Sequence, residues 1–252
     1  SEGLARKVIS ASFNKEAYEI ESELHFDGNI KFHTWEDDEG KQAFWHSSAH
    51  ILAQTIKFFY PKCKLTIGPS IENGFYYDVD FGEDAISEKD FKKIEEKFLE
   101  FARLDSQFEM KSISKNDALD FYKKENNQYK IELIDGLDDG TITFCDHSDF
   151  SDLCKGGHIP STGIVKAVKL LNIAGAYWRG DEKNNQLTRI YGISFPKQKL
   201  LTEYLELIEK AKERDHRKIG KELNLFHFQE EAPGMVFWHP DGWIIYRLLQ
   251  EF

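Results

Sequence analysis

The stretch KQAFWHSSAHILAQTIKFFY, residues 41–60, constrains this chain most. Phe44, Ile51, Leu52, Ile56 and Phe59 fall on one side of a helix, and Pro61 ends it because proline has no N–H to donate. His46 and His50 lie one turn apart on the other side, with Ala43, Ala53, Gln54 and Lys57. A core histidine would more naturally sit inside the apolar stripe. Two imidazoles among small alanines leave room for a metal, for an activated water, or for neither.

Most other segments read as short strands. ARKVISASF, YEIESELHF and GNIKFHTW, within residues 1–38, look like brief strands around turns, too few for a secure core of their own. KLTIG and FYYDVDF read as strands joined by the turn PSIENG, with Phe75, Tyr77, Val79 and Phe81 alternating with Tyr76, Asp78 and Asp80. Ser87 and Asp90 resemble a capping box ahead of a helix striped by Phe91, Ile94, Phe98, Phe101 and Leu104. Residues 117–124 read as a further short helix. QYKIELI, TITFCDH, IVKAVKLLNIAG and QLTRIYGISF read as strands, with SDFSDLCKGGHIPSTG a polar loop between the second and third of them. Residues 197–225 read as one long helix, polar beyond Ala211 as suits a linker.

Chemistry is concentrated in two motifs. His46-x-x-x-His50 lies on the helix and Cys154-x-x-x-His158 in the Gly-containing loop. Three imidazoles and one thiol make a plausible tetrahedral zinc set, although each motif alone is common by chance. Asp152 could pair with a histidine or an amine. On the strand reading Lys130 points away from Tyr129 and Ile131, which by default makes it a solvated lysine. Tyr77 reads as a core residue with a polar tip. Cys145 and His147 share a strand face without a clear partner and read as structural. Cys63 reads as inert. Trp178 and Arg179 sit in a hairpin turn that could touch a nucleotide or be simply well packed.

The formal net charge of −11 argues against nucleic acid when taken whole, because phosphate contacts need Lys and Arg. The charge is uneven, however. KAKERDHRKIGK, residues 210–221, holds six Lys or Arg against Glu213 and Asp215, so an RNA partner stays open. Three unevenly spaced cysteines suit a reducing, cytoplasmic setting, and no apolar run is long enough for a membrane span. With no initiator Met and no stop signal after its last helix, the chain is expected to be a piece of a longer protein.

Four segments in order, HSSAHILAQTIKFFYPKCKLTIGPSIENGFYYDVDF, DLCKGGHIPSTG, AGAYWRGDEKNNQLTRIYG and ERDHRKIGKELNLFHFQEEAPGMVFWHPDGW, resemble bacterial-type threonyl-tRNA synthetases. The resemblance implies an α+β fold, an editing domain with an antiparallel sheet and packed helices. It implies part of a ubiquitin-like (TGS, β-grasp) domain at 1–38, the editing domain at 39–196, a linker helix at 197–222 and the start of a class II catalytic domain at 223–252. The whole enzyme would join threonine to tRNA(Thr) with ATP and Mg, use zinc in its catalytic domain, and form a homodimer. This piece would instead carry the proofreading site that hydrolyses mischarged seryl-tRNA(Thr). Serine lacks one methyl of threonine, and a methyl is worth only about 1–3 kcal/mol of discrimination.

The family's editing residues carry over onto His46, His50, Tyr77, Lys130, Asp152, Cys154 and His158, all matching in type. On this resemblance His46 with Lys130 would position and deprotonate the water or protonate the leaving ribose oxygen. Asp152 would bind the substrate's α-amino group. Cys154, His50 and His158 would shape the ester end of the pocket, and Tyr77 would support its wall and the terminal adenosine. Such sites are held to work without a cofactor, whereas the alanyl relatives bind zinc at the positions of His46, His50, Cys154 and His158. Gly157 stands where many similar synthetases have proline, which loosens the loop. Two other readings remain, a zinc-dependent hydrolase of small molecules and a non-catalytic tRNA-binding module.

Overall fold

The computed structural model describes residue 3 and residues 7–251. The chain divides into two compact units, residues 1–201 and 202–252. The first begins with β1 (Val8–Phe13), β2 (Glu16–Tyr18) and β3 (Ile30–Thr34), an antiparallel sheet in the order β2-β1-β3. Of YEIESELHF, therefore, only the beginning is strand. The helix α1 (Asp38–Phe59) follows at once. Asp37 makes the corner by accepting Thr34 N–H at 2.8 Å, and Gly40 lets the helix start hard against β3, where any Cβ would strike the Thr34 carbonyl.

Next come β4 (Lys64–Leu65), β5 (Ser70–Ile71), β6 (Gly74–Asp80), α2 (Phe91–Arg103), β7 (Glu109–Ser112), α3 (Lys115–Lys124), α4 (Gln128–Asp135), β8 (Thr143–His147), β9 (Phe150–Leu153), β10 (Ala167–Tyr177) and β11 (Gln186–Phe195). An antiparallel sheet runs β10-β11-β6-β4, with β5 also on β6, and a smaller one runs β7-β8-β9. Mixed helices and antiparallel sheets are thus observed. The Ser87–Asp90 capping box is present, with Ser87 N–H donating to Asp90 at 2.9 Å.

Helix α1 packs on β6 and α2, and it is buried on more than its apolar stripe. Phe44, Ile51, Leu52 and Ile56 are fully buried, each worth about 1.5–3 kcal/mol. Ala43, His50, Ala53 and Gln54, on the opposite side, are buried too. Its hydroxyls tolerate this because Ser47, Ser48 and Thr55 donate to the carbonyls of Ala43, Phe44 and Ile51. Trp45 Nε1 donates to Ser194 O at 3.0 Å, fastening α1 to β11.

Two expectations fail here in ways that matter for the site. QYKIELI is helix α4, not a strand. Asn127 caps it by accepting Lys130 N–H, Tyr129 and Leu133 pack with Trp178, and Ile131 and Ile134 pack with Tyr122 and Phe144. Apolar residues on two faces of a short helix had imitated alternation. Lys130 is consequently buried rather than solvated. The second failure is at FSDL, expected as loop. It is β9, paired to β8 with Asp152 opposite Cys145, which points Asp152 inward.

The second unit holds most of α5 (Gln198–Glu213), then α6 (His216–Glu222), β12 (Phe226–His227), β13 (Phe237–Trp238) and α7 (Pro240–Gln250). The single helix expected over 197–225 is interrupted at Asp215, which caps α6 by accepting Arg217 N–H. Among the described residues no helix is long and apolar enough to cross a membrane.

Candidate active site

All seven residues singled out in the sequence converge within the first unit. Helix α1 presents His46 and His50, and the turn after β9 presents Cys154 and His158. Cys154 Sγ lies 3.1 Å from His46 Nε2 and 3.3 Å from His158 Nε2. His46 stacks on His158 with ring centroids 4.8 Å apart, while His50 stands edge-on to both. One ligand atom from each of the four lies within 4.8 Å of the others.

Lys130, Asp152 and Tyr77 form an adjoining buried group. Lys130 Nζ meets Asp152 Oδ1 at 2.6 Å, and Tyr77 donates to Oδ2 at 2.7 Å. Tyr122 donates to Oδ1 at 2.9 Å, and the Leu153 N–H closes on the same oxygen. A carboxylate offers about four acceptor positions. Oδ2, with one donor, can therefore still take another. Burial, then the Asp152 charge, pushes both phenols well above their ordinary pKa, so they remain donors. Gly68 makes room for the Tyr77 ring, which a Cβ there would overlap.

A cleft of about 1670 Å³ opens onto these groups. His46, His50, Tyr77, Lys130, Asp152 and Cys154 line it, and His158 stands behind. Ser10, Ser12, Lys31 and His33, from β1 and β3, line it as well. His46 is only partly buried, whereas His50, Cys154 and His158 are buried.

The cluster is strongly polarised. Burial alone would raise the Cys154 thiol, but His50, His158 and His46 outweigh it and hold the thiol well below its ordinary pKa. Burial would likewise lower His158, yet Cys145, Cys154 and Glu19 drive it well above the ordinary imidazole value. Burial keeps His50 neutral by lowering its pKa, and brings His147 down to about 3. Both shifts favour a Cys154 thiolate facing a His158 imidazolium. A thiolate only accepts, so toward it His46 is the donor through Nε2, and in the neutral ring Nδ1 is then the acceptor.

Cys63 and Cys145, by contrast, are pushed up by burial to about 12 and 11. Thiolate absorbance at 240 nm is accordingly expected at pH 7 and should vanish in Cys154→Ser. On acidification it should persist below the ordinary thiol pKa of about 8.5. A depressed thiol stabilises the fold above its unfolded pKa and loses that contribution as pH falls through the folded value. The raised His158 does the reverse, contributing below about 6.5 and losing it as pH rises through its folded value. A neutral-pH spectrum unchanged by Cys154→Ser would refute the ion pair.

Several contributors had no clear sequence signal. Tyr122 and Glu19 reach the site from segments distant in the chain. Cys145 and His147 do face one way, as alternation indicated, and that way is the rear of the cluster: Cys145 Sγ is 3.7 Å from His158 Nδ1, and the His147 ring is 6.2 Å from His50. Trp178 and Arg179 form a packed turn, both bound to Glu132. The three cysteines are free and buried.

Residues 142–191, from β8 into β11, match the family described as "Threonyl and Alanyl tRNA synthetase second additional domain". Along its full length the chain is 60% identical to a threonine–tRNA ligase of Flavobacterium johnsoniae and 59% identical to that of Flavobacterium psychrophilum. The corresponding enzyme of Caldanaerobacter subterraneus is 49% identical, again over 100% of this chain. In each case the chain spans 39% of the relative's length.

Proposed function

We propose, from the premise that this chain is a part of a threonine–tRNA ligase, that its cleft is a proofreading site hydrolysing the ester of seryl-tRNA(Thr). The premise rests on identity over the whole chain and on the matched domain that includes Asp152, Cys154 and His158. The observation carrying the reading is the partly exposed His46 in one cleft with the buried Lys130–Asp152 pair. Its volume exceeds the roughly 300–1,000 Å³ of ordinary small-molecule sites, which leaves room for an aminoacylated terminal nucleoside.

The chemistry is water attack on an activated ester. Asp152 Oδ2 takes the serine ammonium in its remaining acceptor position. His46 Nδ1 accepts a proton from water as the oxygen attacks the ester carbonyl. Lys130, with two N–H bonds left after its contact with Asp152, steadies the developing oxyanion. The tetrahedral species collapses, the ribose oxygen leaves, and His46 returns the proton to it. The products are serine and uncharged tRNA.

In this reading residues 39–196 form the editing domain, 1–38 part of a ubiquitin-like domain, 197–222 the linker and 223–252 the start of the catalytic domain. The whole protein would be cytoplasmic and homodimeric, charging tRNA(Thr) with threonine using ATP, Mg and a zinc ion elsewhere. A second reading has its own observation. The four donors within 4.8 Å suit tetrahedral zinc, and the Glu19 carboxylate on His158 resembles the backing of a metal-bound histidine. Zinc there would act as a Lewis acid toward the ester.

Seryl- and threonyl-tRNA(Thr), or short acceptor-stem mimics at high enzyme concentration, distinguish the readings. Serine-selective release unaffected by chelators is expected. Stoichiometric zinc and chelator-sensitive release would establish the second reading instead. Absence of release at every concentration would overturn both.

A further inference from the structure

Glu19 follows β2 in the N-terminal sheet, yet its carboxylate lies on the loop that carries Cys154 and His158. Oε1 accepts Gly157 N–H at 2.7 Å and lies 2.9 Å from His158 Nδ1. The His158 N–H lies 3.3 and 3.4 Å from the two carboxylate oxygens. The side chain is 18% exposed, and the His158 ring it meets is 0% exposed. The loop is shaped for this contact. Gly156 and Gly157 both hold positive φ, 98° and 88°, which aims successive N–H groups to one side. A Cβ on Gly157 would press on Ala17 of β2 at 3.0 Å. Proline at this position would have no N–H for Glu19 and could not adopt that φ.

We propose that Glu19 is a positioning residue for the hydrolytic site, so that the N-terminal sheet completes the site by fixing the His158 ring and the Gly156–Gly157 turn. The carboxylate accepts the Nδ1 proton and so turns His158 Nε2 toward Cys154 Sγ, 3.3 Å away. Cys154 in turn holds His46 by its Nε2. A chain of contacts thus runs Glu19, His158, Cys154, His46, and only the last needs to meet the water. Glu19 touches no reacting atom. It does not line the cleft, whereas Gly156 and Gly157 do.

This inference rests on the hydrolytic reading for its kinetic consequence but not for its structural one, and the test uses both. Removing a carboxylate that backs a metal-bound histidine costs about 10–100-fold, and a loss of the same order is expected for this similarly backed ring. Glu19→Ala is expected to lower kcat for seryl-tRNA(Thr) release by that factor while KM changes less than about 2-fold. Glu19→Gln, which keeps the acceptor for the Gly157 N–H, should melt like the unaltered chain and recover part of the loss. Independently, ¹⁵N signals of the His158 ring, assigned with His158→Gln, should change in Glu19→Ala. Ring signals identical in the two proteins would overturn the positioning role whatever the kinetics. So would an unchanged kcat, or a loss confined to KM. If the unaltered chain releases no serine, the functional reading fails, and the ring signals still decide the role of Glu19.

Discussion

Asp152→Ala will lower the unfolding free energy by about 3–5 kcal/mol, the loss expected when one member of a buried ion pair is removed. The side chains of Lys130 and Asp152 are only 3% and 5% exposed, so water of the cleft can replace the missing carboxylate only in part. The ammonium would be left among Tyr77, Tyr122 and the packed base of α4. Both phenols would lose their acceptor as well. Denaturant titration of Asp152→Ala, Lys130→Met and the double variant tests this. The double variant should recover much of the loss, because it removes both charges together. A loss below about 1 kcal/mol for Asp152→Ala would show that the pair is not as dry as its geometry requires.

His46→Ala is expected to slow seryl-tRNA(Thr) hydrolysis by about 10²–10⁴-fold, the usual contribution of a general base. Stability should fall less than in Asp152→Ala, because His46 is the partly exposed member of the cluster, although its Nε2 contact with Cys154 Sγ is lost. That contrast separates chemistry from folding. Asp152→Ala would fail in both, His46→Ala chiefly in activity. Rates of release at saturating substrate, with melting curves beside them, make the check. Equal rates for His46→Ala and the unaltered chain would remove His46 from the mechanism.

The two motifs HSSAH and CKGGH were legible because their chemistry is local. Histidines four apart on a helix share a face whatever surrounds them, and a glycine-rich turn between Cys154 and His158 bends them together. The partners of those residues were not legible. Lys130 looked solvated because a helix packed on two faces imitates the alternation of a strand. Asp152 looked like a loop acid because FSDL carries too few residues to announce a strand, and its partner β8 supplies the pairing. Tyr122 and Glu19 lie 30 and 139 residues from the groups they hold, with no periodicity linking them.

By itself, then, the sequence determined the elements whose signals are short-range: α1 with its histidine pair, the Ser87–Asp90 cap, the β6, β10 and β11 strands, and the reactive turn. Tertiary structure alone decided the electrostatics. Protonation of Cys154 and His158, the burial of Lys130 and the open acceptor position on Asp152 depend on which charges come within hydrogen-bond reach in a largely buried setting. Coulombic energy varies with distance and dielectric, and neither is written in the order of residues along a chain.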